Sequence, residues 1–208
     1  MTKRPRVAVL DYGIGNLRSA QKALEHVGAD AVLTSDPLVT AAADAVVLPG
    51  VGAFGACMDA LRNVGLEEVV HHAVSSGVPF MGICVGMQML FSDSEEDPGA
   101  VGLGIIPGSV RWLPSTVQRP QMQWNQLNIV RADPMFADLE KSPWMYFVHS
   151  LHGVPADSND IAATVHYGHT LNVAFRRNNV FATQFHPEKS AGAGLQLLSN
   201  FVSLIGAS

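Results

Sequence analysis

Val78-Pro79-Phe80-Met81-Gly82-Ile83-Cys84-Val85-Gly86-Met87-Gln88-Met89-Leu90-Phe91 decides the fold. The apolar run 78–83 reads as a buried strand and 85–91 as the helix that follows it, so Cys84 stands on a strand-to-helix turn of the G-x-nucleophile-x-G form. A residue on so tight a turn leaves no room for neighbouring Cβ atoms, and glycines two positions before and two after relieve the clash. A sulfur raised there faces unsatisfied N–H groups and the positive end of the helix dipole, a setting that favours thiolate over thiol. The plainer reading, a small buried apolar residue, suits Cys57 better: Ala53-Phe54-Gly55-Ala56-Cys57-Met58 is a helical pattern of apolar neighbours, and Cys57 is assigned to packing.

Working outward, Val7-Ala8-Val9-Leu10 is a second buried strand. Asn16 caps a helix carrying Leu17, Ala20, Leu24 and Val27 and stopped by Gly28. Residues 44–48 form another strand, closed by Pro49-Gly50, and 54–76 are helical with a break near Gly65. Strands alternating with helices predict a parallel sheet. Beyond Phe91 proline and glycine become frequent, and short apolar runs at 109–113, 126–130, 145–149, 161–165, 171–175 and 180–185 read as a partly antiparallel section. A closing helix spans about 192–204, with Leu195, Leu198, Phe201 and Val202 on one face. The expectation is one α/β domain over 1–208: a mixed, mainly parallel central sheet flanked by helices, plus an antiparallel strand section.

Bulk properties agree with one folded unit. Hydrophobic residues make up 48% of the 208 and charged residues 15%, ample for a core. A net charge of -5 and the lack of any Lys/Arg-rich run give no electrostatic footprint for nucleic acid. The basic stretch Met1-Thr2-Lys3-Arg4-Pro5-Arg6 precedes only four apolar residues, too few for a signal peptide, and no segment approaches the roughly 18 apolar residues of a membrane span. A cytoplasmic protein with no membrane or nucleic-acid partner is expected. Two cysteines, Cys57 and Cys84, do not suggest a disulfide scaffold.

A cysteine nucleophile needs a base. Among eight histidines, His186 ends the run 180–185 and is followed by Pro187-Glu188, which sets base and carboxylate two positions apart on an extended segment, facing the same way. Glu188 would fix the imidazole tautomer and support the imidazolium. Amide cleavage also requires donors for a tetrahedral oxyanion. The Val85 amide is one, and the glycine-rich Pro49-Gly50-Val51-Gly52, through Val51 and Gly52, supplies the other. A dinucleotide fingerprint fails at Gly13-Ile14-Gly15-Asn16-Leu17-Arg18, because Arg18 takes the third glycine position of G-x-G-x-x-G.

Together these segments resemble the class I (triad) glutamine amidotransferases. Gly82-Ile83-Cys84-Val85-Gly86-Met87-Gln88 looks like the nucleophile motif and Gln184-Phe185-His186-Pro187-Glu188-Lys189-Ser190 like the histidine-glutamate motif. Asp11-Tyr12-Gly13-Ile14-Gly15-Asn16, Pro49-Gly50-Val51-Gly52-Ala53-Phe54 and Tyr146-Phe147-Val148-His149-Ser150 single out the glutaminase subunits that serve histidine biosynthesis. The resemblance implies a Cys84 thioester, with Gln88, Glu96, His149 and Ser150 holding glutamine. It implies ammonia delivery to a separate (β/α)₈ barrel cyclase, docked near Asn16, Trp124 and Lys189, and no cofactor or metal. Two departures stand out. Relatives usually read Pro-His-Met-Gly-Trp-Asn where this chain has Pro120-Gln121-Met122-Gln123-Trp124-Asn125, and Leu151 stands where a tyrosine follows His-Ser. The alternatives are a flavodoxin-like cysteine hydrolase or peptidase, whose relatives do not usually carry His-Pro-Glu near the carboxyl end, and a non-catalytic binding subunit, against which stands the complete triad.

Overall fold

The computed structural model describes residues 4–205. Met1, Thr2 and Lys3 of the basic amino terminus, and the last three positions of 1–208, lie outside the described residues. Four strands run parallel at the heart of the molecule: β1 (Arg6–Leu10), β3 (Ala45–Gly50), β4 (Phe80–Cys84) and β12 (Val180–Thr183). Apart from Arg6 and Thr183 these strands carry no polar side chain, because each is covered on both faces. β2 (Asp30–Thr34) adds a parallel edge beside β1. On the far side of β12 the sheet continues antiparallel through β11 (His169–Arg177), β10 (Ile161–Tyr167), β7 (Gln121–Ile129) and β8 (Trp144–His149). The nine-stranded order is β2-β1-β3-β4-β12-β11-β10-β7-β8. A second sheet joins β5 (Asp93–Ser94), β6 (Gly108–Trp112) and β9 (Leu151–Pro155).

Helices α1 (Leu17–His26), α2 (Pro37–Ala41), α3 (Phe54–Asn63), α4 (Glu67–Ser75) and α6 (Ala191–Ile205) surround this frame. Asn16 stands at the start of α1 as expected, but its side chain makes no capping hydrogen bond. The expected break near Gly65 is real: this glycine, at φ +73, ends one helix and starts the approach to the next. Eight phenylalanines, among them Phe80, Phe147, Phe175 and Phe185, are fully buried, each contributing roughly 2 kcal/mol or more by leaving water. Phe91 meets Phe175 edge to face at 5.2 Å and locks the small sheet to the large one. Gly153 on β9 makes room for that pair, since a Cβ there would lie 2.5 Å from one ring and 2.7 Å from the other.

Three local expectations are corrected. The helix after Cys84, α5 (Val85–Gln88), is only four residues long, so its macrodipole is small. β12 stops at Thr183, and Pro187–Lys189 form a 3-10 turn instead of an extended segment. β7 begins at Gln121, five residues before the apolar run that announced it.

Candidate active site

Strand register assembles the site. β3 and β4 lie side by side with Gly50 opposite Cys84, and β12 lies on the other side of β4 with Thr183 opposite Ile83. The glycine-rich loop after β3 and the segment after β12 therefore flank the cysteine from its two neighbouring strands. Cys84 sits at φ 56, ψ -116, a conformation that costs a non-glycine residue on the order of 1–3 kcal/mol and that the surrounding packing must enforce. The flanking glycines do what the sequence asked of them. A Cβ at Gly86 would lie 1.9 Å from the Leu48 carbonyl oxygen, and one at Gly82 would lie 2.9 Å from Leu90 Cδ1. Gly50 is equally confined, 2.5 Å from the Gly86 nitrogen by the same measure, so loop and elbow pack backbone against backbone.

His186 Nδ1 lies 2.8 Å from Glu188 Oε1, and both side chains are almost wholly buried. The 3-10 turn, not an extended strand, folds the carboxylate back onto the ring. Ser190 fixes this turn: its hydroxyl donates to the His186 carbonyl at 2.6 Å and accepts from the Tyr146 amide at 3.0 Å, while the His186 amide donates to the Tyr146 carbonyl at 3.1 Å. Burial alone would disfavour the imidazolium. Hydrogen bonds and charge from Cys84 and Glu188 more than offset burial and raise the His186 pKa to about 9. A protonated His186 is thus the state that this setting favours near neutral pH.

A cavity of about 280 Å³ opens beside Cys84. Its wall carries Cys84 and His186, the loop residues Val51 and Gly52, the elbow residue Val85, and Gln88, Glu96, His149, Ser150 and Lys189. Glu188 stands behind His186. Asn16 and Trp124 are not part of this wall. Trp124 is exposed on β7 and packs edge to face on Tyr146 at 5.8 Å, so it is connected to the site through the strand that also binds His186. Larger hollows exist, one of about 680 Å³ near Arg131, Arg176 and Arg177, but there Arg176 is paired with Asp133 and Arg177 with Asp160. No nucleophile lines it. Among the described residues no group of three or more His, Cys, Asp or Glu side chains is placed to hold a metal, and no helix is long and apolar enough to cross a membrane.

The loop after β3 is gripped at three points. The Tyr12 hydroxyl donates to the Pro49 carbonyl at 2.7 Å, the Cys57 thiol lies 3.2 Å from the Val51 carbonyl, and Glu96 accepts from the Phe54 amide at 2.7 Å. Burial raises the pKa of both Tyr12 and Cys57, keeping each protonated and able to donate. Cys57 is therefore more than packing. On the opposite wall, His149 contacts the Leu151 carbonyl at 2.6 Å and Gln121 Oε1 at 2.9 Å, and burial lowers its pKa to about 4. The polar contact at Leu151 goes through the backbone, so the hydroxyl absent at this position is not part of it.

The sequence placed Gln184 at the head of the histidine-glutamate motif without a role of its own; it follows β12 and is fully buried beside Cys84. The signal was the parallel register of β12 on β4, visible only once the strands are paired.

The comparisons with known proteins agree with this geometry. The family model described as glutamine amidotransferase class-I matches residues 8–204. The imidazole glycerol phosphate synthase subunit HisH of Syntrophotalea carbinolica is 50% identical over 202 residues, covering 94% of this chain and 98% of that protein. The HisH of Salinibacter ruber is 48% identical over 203 residues, covering 94% and 93%, and that of Synechococcus elongatus 49% over 211, covering 100% and 97%. Among solved structures, a glutamine amidotransferase superimposes with a TM-score of 0.76 at 23% identity, covering 96% of this chain and 98% of the other, and PurLQS from Thermotoga maritima with 0.76 at 19%, covering 97% and 99%. Those two likenesses establish the fold. With a family model spanning nearly every residue and relatives near half identity along their whole length, the chain belongs to the class-I glutamine amidotransferases.

Proposed function

We propose that this chain, as one glutamine amidotransferase domain over 1–208, is the glutaminase subunit of an imidazole glycerol phosphate synthase in histidine biosynthesis. It works in the cytoplasm as a heterodimer with a separate (β/α)₈ barrel cyclase. The observation that carries the chemistry is the line from Glu188 through His186 to Cys84 at the rim of one cavity, a setting that favours the charged imidazole. The near-half identity to HisH subunits supports the pathway.

In the proposed reaction the Cys84 thiolate attacks the glutamine carboxamide carbon, forming the C–S bond, and the carbonyl pair moves onto oxygen. The amide of Val85 and the Val51–Gly52 segment hold that oxyanion. As the adduct collapses the C–N bond breaks and His186 gives its proton to nitrogen, releasing ammonia. Water then loses a proton to His186 and adds to the thioester. The C–S bond breaks, its electron pair returns to sulfur, and glutamate leaves. Glu188 keeps the imidazole oriented throughout. Gln88, Glu96, His149 and Ser150 hold glutamine, while Asn16, Trp124 and Lys189 face the cyclase, which receives the ammonia.

The test is direct. Glutamate release is measured with and without a separately purified barrel cyclase carrying its ligand. The wild-type chain should be strongly stimulated and Cys84→Ala should be silent in both conditions. Hydrolysis that survives Cys84→Ala would remove the nucleophile assignment, and an unstimulated wild type would remove the subunit assignment.

A further inference from the structure

Among the described residues Gln184 is the one fully buried carboxamide that touches the proposed nucleophile, and the mechanism above does not use it. Its Nε2 lies 3.9 Å from Cys84 Sγ, across a sequence separation of 100, at the outer reach of an N–H···S contact. Its Oε1 accepts from Gln88 Nε2 at 3.0 Å. Gln88 is itself buried and lines the cavity. The three side chains form a line from sulfur to substrate pocket.

The direction of that line is set by chemistry. A carboxamide has a donor end and an acceptor end. A thiolate offers only lone pairs, so the nitrogen of Gln184 must face it. The oxygen of Gln184 then faces Gln88 and can meet only an N–H there. One of the two Gln88 N–H groups is taken up by that bond, and the carbonyl oxygen at the other corner of the amide faces away from Gln184 as an acceptor.

We infer that Gln184 is a further catalytic residue: its amide donates to the Cys84 sulfur, and its oxygen orients Gln88 to accept a hydrogen bond from an N–H group of the substrate. The inference rests on the glutaminase reading and deepens it. The Gln184 donor stabilises the charged sulfur before attack and again when the thioester breaks and the electron pair returns. It also ties the polarity of the substrate pocket to the charge on the nucleophile, because reversing Gln184 would reverse Gln88. A ligand with only acceptors at that point, such as glutamate presenting a carboxylate, meets an oxygen and is repelled.

The experiment uses the full-length chain and Gln184→Met, which keeps length and apolar bulk but has no amide. Alkylation by iodoacetamide is followed by mass spectrometry on the Cys84 peptide, with the Cys57 peptide as an internal reference. Loss of one charge-assisted hydrogen bond should slow Cys84 alkylation at pH 7 about tenfold and move its pH profile upward. The KM for glutamine should rise as well. A Cys84 alkylation rate and pH profile within about twofold of wild type would overturn the inference, whatever the hydrolysis assay shows. Where Gln184→Met does not hold its fold by circular dichroism, Gln184→Leu is read in the same way. Failure of both to fold would make Gln184 a structural residue and overturn the assignment. The glutaminase reading fails separately, through a wild-type chain whose glutamine hydrolysis is absent or independent of Cys84.

Discussion

The Gln121 side chain and the His149 imidazole lie 2.9 Å apart, and this contact joins the strand that carries Trp124 to the wall of the cavity beside Cys84. The network behind it has a fixed direction. Asn125 donates through Nδ2 to the His166 carbonyl at 3.1 Å, which turns Asn125 Oδ1 toward Gln121 Nε2 at 3.1 Å and toward the Gln123 amide. Gln121 must then present its oxygen to His149, whose other nitrogen faces the Leu151 carbonyl. Two oxygens flank a ring that burial keeps neutral and that has only one N–H to give. The wall is therefore one proton short of full pairing.

Removing the Gln121 side chain should loosen His149. With a net value of about 1 kcal/mol for one hydrogen bond, Gln121→Ala should raise the KM for glutamine about fivefold and leave kcat within about twofold, because in the proposed site His149 holds glutamine and takes no part in the chemistry at sulfur. Steady-state glutamate release at saturating cyclase measures both. A fall in kcat larger than the rise in KM would place His149 in the chemistry instead.

Two buried histidines set opposite slopes on stability against pH. His149 has its folded pKa lowered to about 4, so the unfolded chain binds more protons between about 4 and the ordinary 6.5, and stability rises with pH across that window. His186 has its folded pKa raised to about 9, so the native state binds more protons between 6.5 and about 9, and its contribution, complete below 6.5, is lost as pH climbs through 9. The denaturation midpoint should peak near pH 6.5 and decline on both sides. His186→Gln should flatten the alkaline limb, which is worth on the order of 3 kcal/mol. An alkaline limb unchanged in that variant would assign the slope to other groups.

The parallel half of the fold was legible because β1, β3 and β4 are buried on both faces, which writes them as continuous apolar runs. β2 and β9 were not. β2 is a five-residue edge strand, Asp-Ala-Val-Leu-Thr, with only two buried positions, and β9 is interrupted by Gly153, which is there to admit two phenylalanine rings. The first half of β7 carries Gln121, Gln123 and Asn125, so polar partners rather than a hydrophobic face hold it. At the site, His186 and Glu188 are close because one motif records a local turn, while Cys84 joins them only through the register of β12 on β4. What the motifs cannot record is register. Gln184 and Cys57 reach the site through strand pairing and a helix packed beneath a loop, and the local segments that contain them give neither a role.

Two glycines in the site should respond differently to the same added methyl group. Gly86→Ala drives a Cβ to 1.9 Å from the Leu48 carbonyl, a backbone atom in a buried central strand that cannot move aside, so a loss of more than about 3 kcal/mol is expected. At Gly52, φ is +93 and a Cβ would meet nothing within 4 Å, so Gly52→Ala should cost only the conformational strain, about 1 kcal/mol. Urea midpoints of the two variants compare them. Equal losses would mean that the elbow and the β3 strand separate more easily than their packing implies.

In the proposed reaction the loop after β3 holds its amides at a set distance from the sulfur, and its position is governed by the grips on Pro49, Val51 and Phe54. Tyr12 is the strongest test, because its hydroxyl binds a carbonyl one residue before Gly50, the glycine paired with Cys84. Tyr12→Phe keeps the ring in the core and removes only that donor, leaving a buried carbonyl unpaired at a cost of about 1–3 kcal/mol. Part of that cost is relieved if the loop moves, and movement there misplaces the oxyanion donors while leaving the substrate wall untouched. kcat should therefore drop about tenfold with KM within about twofold, since removing an oxyanion donor outright costs about a hundredfold or more. Cys57→Ala, which releases the weaker thiol contact on Val51, should show the same pattern at smaller size. Stability lost with kcat intact in both variants would make these grips scaffolding, and the oxyanion donors would have to be positioned by the elbow alone.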